Sequence, residues 1–267
     1  MPELPEVETI KRQLSRTIVN KTMISVSAPD PRVIKDISLR SFKAKLKNKK
    51  IKEIIRRGKV LIFNLEDEFF LVFHLRIAGW IMLSSRTEHC ARVIFHLSSG
   101  KDLTFCDSRV LGEVRLVKDW KQLPIIRTMG PEPEDITGKQ FAALLKKRKA
   151  QIKPLLLDQR FIAGIGNIYA QEALFCAQID PERRADTIPG KKAEKLHACL
   201  KKILKQAIAR KGSSINTFRQ TDGKSGGMAE CFSVYQRKGE PCPVCGRPLH
   251  KKNIGGRGTC FCPCCQK

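Results

Sequence analysis

The chain has 267 residues, 42% of them hydrophobic, which is long enough for two domains plus a small appendage with a real core. Its 51 Lys and Arg stand against 26 Asp and Glu, a formal net charge of +25. That excess fits a polyanionic partner, nucleic acid ahead of anionic lipid, because no basic amphipathic helix with an aromatic face stands out. No stretch approaches the roughly 20 apolar residues of a membrane span. The acidic, proline-broken opening Met1-Pro2-Glu3-Leu4-Pro5-Glu6 is unlike a secretory or transit leader, so the expected setting is cytoplasmic.

Residues 3–18 predict a helix, with Val7, Ile10, Leu14 and Ile18 recurring at three- and four-residue steps. Pro5 fits the first turn, where its missing N–H is not needed, and Glu3, Glu6 and Glu8 crowd the end that a helix dipole makes favourable to anions. From about 22 to 118 the pattern becomes short β-type runs at 60–63, 69–75, 80–83, 92–97 and 103–106, with Ser99-Gly100-Lys101-Asp102 as a hairpin turn. Gly130-Pro131-Glu132-Pro133-Glu134-Asp135 reads as a linker. Thr137 then caps a helix to about Arg148, Pro154 stands near the start of the next, and 191–211 is the clearest helix, with Gly212 as its stop. Residues 213–230, rich in Gly, Ser and Thr, read as a mobile loop.

Of eleven cysteines, seven fall between Cys231 and Cys265. Cys90, Cys106, Cys176 and Cys199 sit singly in apolar or helical stretches and are expected as small core residues in a reducing compartment. Cys242-Pro-Val-Cys245 and Cys262-Pro-Cys-Cys265 are two C-x-x-C knuckles separated by sixteen residues. Four thiolates at that spacing close a tetrahedral zinc site, and so small a module needs the metal to fold. Cys260 and Cys264 remain alternative ligands. Between the knuckles, Gly255-Gly256-Arg257-Gly258-Thr259 reads as a hairpin tip carrying a basic side chain.

Two further features bear on chemistry. Gly164-Ile165-Gly166-Asn167-Ile168-Tyr169 opens a helix, a setting that suits a phosphate, though a tight turn between packed helices is an equal reading. Removal of Met1 would leave Pro2 as a secondary amine able to attack a sugar carbon and form an iminium, with Glu3 placed to move protons. By itself Met-Pro-Glu is an ordinary beginning.

Taken together, the Met1–Thr9 opening, Arg56-Arg57-Gly58-Lys59, Phe73-His74-Leu75-Arg76, Asp107-Ser108-Arg109, Gly130-Pro131-Glu132-Pro133, Ala163 to Tyr169 and the cysteine knuckles resemble the formamidopyrimidine-DNA glycosylase family, relatives of endonuclease VIII, over essentially the whole chain. The resemblance implies an α+β protein: an N-terminal β-sandwich with its helix (1–124), a linker (125–136), a helical domain with a helix–two-turn–helix element and a lesion-capping loop at 220–227 (137–230), and a zinc-finger β-hairpin (231–267). It implies a monomeric, nucleoid-associated bacterial-type enzyme that binds damaged double-stranded DNA in the cleft between its main domains with the lesion flipped out. The implied activity is a glycosylase and abasic-site lyase on oxidised purines, with one structural zinc held by Cys242, Cys245, Cys262 and Cys265. The implied catalytic residues are Pro2, Glu3, Lys59 and Arg257. Glu6 orders the site, and His74, Arg109, Asn167, Lys59 and Arg257 hold DNA. The void-filling wedge would be Ile77, Arg109 and Leu111, where the family typically has Met, Arg and Phe; Ala78 replaces a common acidic residue. Oxidised pyrimidines, or lesion binding without turnover, are the alternative readings.

Overall fold

The computed structural model describes residues 2–84, 90–215 and 218–267. They form two compact units, residues 1–127 with 208–229 and residues 128–207 with 230–267. Among the described residues, no helix is long and apolar enough to cross a membrane.

The first unit begins with helix α1 (Leu4–Thr17), whose stripe of Val7, Ile10 and Leu14 is fully buried. It continues through β1 (Thr22–Ser27), β2 (Ile34–Lys35), helix α2 (Leu39–Leu46), β3 (Lys49–Arg57), β4 (Val60–Leu65), β5 (Phe70–His74), β6 (Gly79–Ser84), β7 (Ala91–Leu97), β8 (Asp102–Asp107), β9 (Glu113–Val117) and the single turn α3 (Pro124–Arg127). Among the described residues the strands pair in the order β2-β9-β5-β4-β3-β1-β7-β8-β6, antiparallel except for β2 with β9. Were this ladder flat, β5 and β7 would lie about 19 Å apart, four strand spacings. Instead the rings of Phe73 on β5 and Phe95 on β7 are 5.8 Å apart, and Phe73 meets Phe105 on β8 at 5.9 Å. The ladder therefore folds over itself into two facing layers around one apolar cluster, the expected sandwich, with register shifts in β1 and β3 near the fold line.

Helix α2 lies within the 22–118 stretch of short β-type runs, where no helix is expected. Its signals are local: the Ser38 hydroxyl accepts the Ser41 N–H, and Phe42 and Leu46, one turn apart, are both buried. The 213–230 segment, read as a loop, makes specific hydrogen bonds among its described residues. Residues 216 and 217 lie outside the described residues, but around them Ser213 bridges Gly227, Thr221 N–H donates to Gln13 Oε1 at 3.1 Å, and Leu83 N–H donates to the Thr221 carbonyl at 2.8 Å. Polar residues that read as loop here supply the hydrogen bonds that hold the loop in place.

The second unit contains α4 (Gly138–Lys146), α5 (Ile152–Leu157), α6 (Asn167–Ala177) and most of α7 (Gly190–Ala209), followed by the hairpin β10 (His250–Ile254) and β11 (Arg257–Phe261). Thr137 caps α4 through a capping box with Gln140. The proline-rich 130–135 stretch is stitched down by its own carbonyls: Pro131 O accepts from Ala163 N–H, and Pro133 O lies 2.7 Å from His197 Nε2 on α7. Helix α6 is buried nearly all round and so shows no amphipathic stripe. Cys176 on α6 and Cys199 on α7 are joined as a disulfide, Cα–Cα 6.0 Å, which corrects their expected role as separate core thiols. Two residues 23 apart on different helices carry no local signal of such a pairing.

Candidate active site and nucleic-acid interface

The N-terminus of α1 is built as a buried carboxylate cluster. Pro2 is buried, and Glu3 and Glu6 are each 1% exposed. Glu3 is the N-cap residue, and its N–H donates to Glu6 Oε2 at 2.8 Å within a reciprocal capping box. The other Glu6 oxygen accepts from both the N–H and the hydroxyl of Ser213, at 2.8 and 3.1 Å. Gly212 makes this possible. Its φ of +79° and a virtual Cβ only 3.0 Å from Glu6 leave room for no side chain at the turn that ends α7.

A second acidic residue ties this helix to the sheet. Glu8 accepts from Arg12 Nε at 2.7 Å and Arg56 Nε at 2.9 Å, while Arg56 Nη1 donates to the Gly58 carbonyl at 3.0 Å. Burial pushes the Glu8 carboxyl up, but the hydrogen bonds from Arg56 and Arg12 outweigh it and hold the group below its ordinary value. Gly58 and Lys59 form the two-residue turn between β3 and β4, closed by the Arg57–Val60 pair, and Lys59 is 8% exposed. The chain Glu8–Arg56–Gly58 thus fixes the Lys59 turn against α1, the helix that follows Pro2. In the sequence Arg56 stands out only as part of the Arg56-Arg57-Gly58-Lys59 motif, with no sign of this bond to Glu8.

Sheet register sets the next residues in a row. Val60 pairs with His74, and His74 with Glu113. Burial drives the His74 imidazole down to about 3, helped by Arg76 and Lys59, so it is neutral at physiological pH. Its Nδ1 accepts from Arg76 N–H at 3.3 Å, which assigns the ring proton to Nε2. Arg76 also donates to Glu113 Oε1, linking the turn after β5 to the start of β9. On the other layer Gly79 pairs with Asp107, so the turns carrying Ile77 and Arg109 leave the same end of the β6–β8 ladder. Asp107, fully buried, organises its turn. Oδ1 accepts from Arg109 N–H at 2.9 Å, and Oδ2 accepts from Leu111 N–H at 2.8 Å and Gly112 N–H at 2.6 Å. Arg109 and Leu111 are thereby presented outward, Leu111 at 44% exposure, while Ile77 is half-buried and Ala78 is buried.

In the second unit the same fold brings Asn167 and Arg257 together. Asn167 begins α6, and its Nδ2 donates at 3.3 Å to the carbonyl of Gly258, the neighbour of Arg257 on β11. Gly255 and Gly256 form the hairpin tip with φ of +59° and +72°, and the tip packs on Pro154. Beside Asn167 lies a recess of about 460 Å³ bordered by Gln171, Tyr235, Lys238, Lys251 and Gly258. Buried Glu172 holds its rim, accepting from the N–H groups of Ser233, Val234 and Tyr235 at 2.8–3.0 Å.

The sulfurs of Cys242, Cys245, Cys262 and Cys265 all lie within 4.8 Å of one another, with Cys242–Cys265 at 3.9 Å and Cys245–Cys262 at 3.5 Å. Four thiolates about 2.3 Å from a tetrahedral zinc are about 3.8 Å apart, so the donor set fits one structural ion. Cys260 and Cys264 stand outside this cluster, which resolves the ligand choice left open by spacing. The backbone N–H of Arg247 draws the Cys245 thiol down, while burial pushes the Cys262 and Cys265 thiols up, so a cation among the four sulfurs is what would favour all of them as thiolates.

Models of the formamidopyrimidine-DNA glycosylase N-terminal domain, its H2TH domain and the zinc finger found in FPG and IleRS match residues 1–114, 129–219 and 239–267. The chain is 41% identical over 274 residues to the formamidopyrimidine-DNA glycosylase of Pelotomaculum thermopropionicum, covering all of this chain and 99% of that protein. It is 39% identical over 272 residues to that of Thermus thermophilus, covering 100% and 98%. A Lactococcus lactis FPG mutant bound to Fapy-dG-containing DNA superposes with a TM-score of 0.93 at 38% identity over 100% of both chains. The Lactococcus Fpg complex with abasic-site DNA gives 0.92 at 38% identity over 99% of both. On its sequence, its fold and its cysteine cluster, the chain belongs to the formamidopyrimidine-DNA glycosylase family.

Proposed function

We propose that this base-excision-repair glycosylase and abasic-site lyase removes oxidised purines from double-stranded DNA through its own Pro2. The observation that carries the reading is the end of α1: a buried Pro2 followed by buried Glu3, with Glu6 locked to Ser213 beneath it. Once Met1, which lies outside the described residues, is removed, the Pro2 nitrogen attacks C1′ of the damaged nucleotide. The base departs with a proton and the opened sugar is left as an iminium. The cation then draws electrons as a proton leaves the sugar, and β- and δ-elimination expel the two flanking phosphates in turn. Glu3 serves as the proton carrier and Glu6 orders the site.

Lys59, His74, Asn167 and Arg257 are assigned to the phosphates around the lesion, with Lys59 and Arg257 also serving the chemistry by stabilising charge. Arg109 faces the orphaned base, while Ile77 and Leu111 fill the emptied stack. Functional boundaries at 1–124, 125–136, 137–230 and 231–267, a lesion-capping role for 220–227, a monomeric state and residence on the bacterial nucleoid complete the proposal.

Borohydride trapping on duplexes carrying 8-oxoguanine or an abasic site tests it. The expected result is a covalent adduct mapped by mass to Pro2 and absent from Pro2→Gly, which still binds duplex. No adduct from zinc-loaded protein lacking Met1 would leave a binding protein. A second reading, preference for oxidised pyrimidines, is favoured by the short exposed Leu111 and buried Ala78. The Lactococcus relative is described in complex with DNA containing an oxidised pyrimidine. Parallel excision on 8-oxoguanine and thymine-glycol duplexes decides between them.

A further inference from the structure

Zinc anchors only one end of the hairpin. The ligand Cys262 follows the last residue of β11, whereas Arg257 is its first, about 17 Å away along an extended strand. Something else must hold the Arg257 end in register with Asn167. Gln171, one turn into α6 and 1% exposed, does so with every hydrogen-bonding position of its carboxamide that the geometry reaches. Nε2 donates to the Asn167 carbonyl at 2.7 Å and to the Gly258 carbonyl at 3.3 Å, and Oε1 accepts the Cys260 N–H at 2.7 Å. The Gly258 carbonyl also receives Asn167 Nδ2, so a single oxygen next to Arg257 is shared by both side chains of α6.

We infer that Gln171 is a positioning residue that couples the first turn of α6 to the Arg257 end of β11, so that Asn167 and Arg257 act on DNA phosphates as one preorganised pair. The inference rests on the assignment of those two residues to phosphate made above. Its chemistry requires an amide: a carboxylate in the same place keeps the Cys260 N–H but sets negative charge against two carbonyl oxygens. A side chain that merely filled space would leave the buried Cys260 N–H without its acceptor and the Gly258 carbonyl with Asn167 Nδ2 as its one remaining α6 donor, and the hairpin tip would lose its fixed distance from Asn167.

The test is a double-mutant cycle on the full-length zinc-loaded protein, read as affinity for a duplex carrying a tetrahydrofuran abasic-site analogue across a salt series. Gln171→Met and Arg257→Ala are made singly and together, with bound zinc and thermal unfolding measured alongside. Gln171→Met is expected to keep its zinc, weaken binding about tenfold and make the salt dependence shallower. In the Arg257→Ala background the same change should cost less than about twofold, because the pair it aligns is already gone. An equal loss in both backgrounds, or unchanged affinity from Gln171→Met, overturns the inference. Should Gln171→Met lose zinc, Gln171→Glu is read by the same criteria, and loss of zinc from both would make the residue a folding element and overturn it too. If Arg257→Ala alone leaves affinity unchanged, the phosphate assignment fails, independently of Gln171.

Discussion

The two ends of this chain reach a fixed geometry by different means. The first unit has a continuous apolar core running from Val7 through Phe63, Phe73, Phe95 and Phe105 to Phe218, so its surface turns are small departures from a well-packed body. Around the cysteine module the buried cluster is Phe175, Val234, Leu249 and the cysteines themselves. That is too little apolar surface to order a hairpin, and metal bonds together with a few buried amides and carboxylates supply what is missing. A point change should therefore spread through the first unit as a graded loss, and through the module as all-or-none.

Cys245→Ser is the sharpest way to break the comparison. Structural zinc in such modules is worth on the order of 10 kcal/mol. The variant should lose its metal, its amides beyond about residue 240 should exchange rapidly, and the first unit should remain protected. Retained zinc with unchanged protection would mean that Cys260 or Cys264 has moved in as a ligand. Phe73→Ala probes the other side. Its ring touches Phe63, Phe95 and Phe105, so its removal should cost about 3–5 kcal/mol in denaturant unfolding of the first unit. Zinc should stay bound throughout.

Asp107→Ala should cost less than either. Three N–H groups of one turn lose their acceptor, a cost of about 2–3 kcal/mol, concentrated at the residues that present Arg109 and Leu111. Excision should fall more than stability, and more than in Leu111→Ala, whose exposed side chain contributes little to folding. Equal excision by Asp107→Ala and wild type would show that the turn needs no preset shape.

What the sequence made legible follows from the same physics. Periodicity exposed α1 and α7 because each has one buried and one wet face, and the knuckles exposed the zinc site because its ligands come in adjacent pairs. The linking interactions were not legible. Glu8 meets Arg56 across 48 residues, Glu172 meets the 233–235 backbone across 61 to 63, and Gln171 meets Cys260 across 89. In the sequence such residues are ordinary polar positions on helices, and only the fold reveals that they are buried and aimed. Helix α2 is a different failure, since Ser38 and the Phe42–Leu46 step were readable but lay inside a run of strand-like neighbours.

The smallest expected effect separates charge from hydrogen bonding at the proposed phosphate contacts. His74, held neutral down to about pH 3, can offer a phosphate its Nε2–H but no charge. His74→Ala should therefore weaken duplex binding without changing its salt slope, whereas Lys59→Ala should lower the slope by about one. The same shift has a signature in stability. An unfolded imidazole takes a proton near 6.5 and the folded one only near 3, so between those values the unfolded state binds more protons and stability rises with pH. The His74 contribution is fully present above about pH 6.5 and is lost as the pH falls toward 3. His74→Gln should flatten that part of the thermal-stability profile and leave the limb above pH 7 in place. A wild-type profile with no slope between pH 6.5 and 3 attributable to His74, or a salt slope that drops in His74→Ala, would mean that the imidazole carries charge in the folded protein.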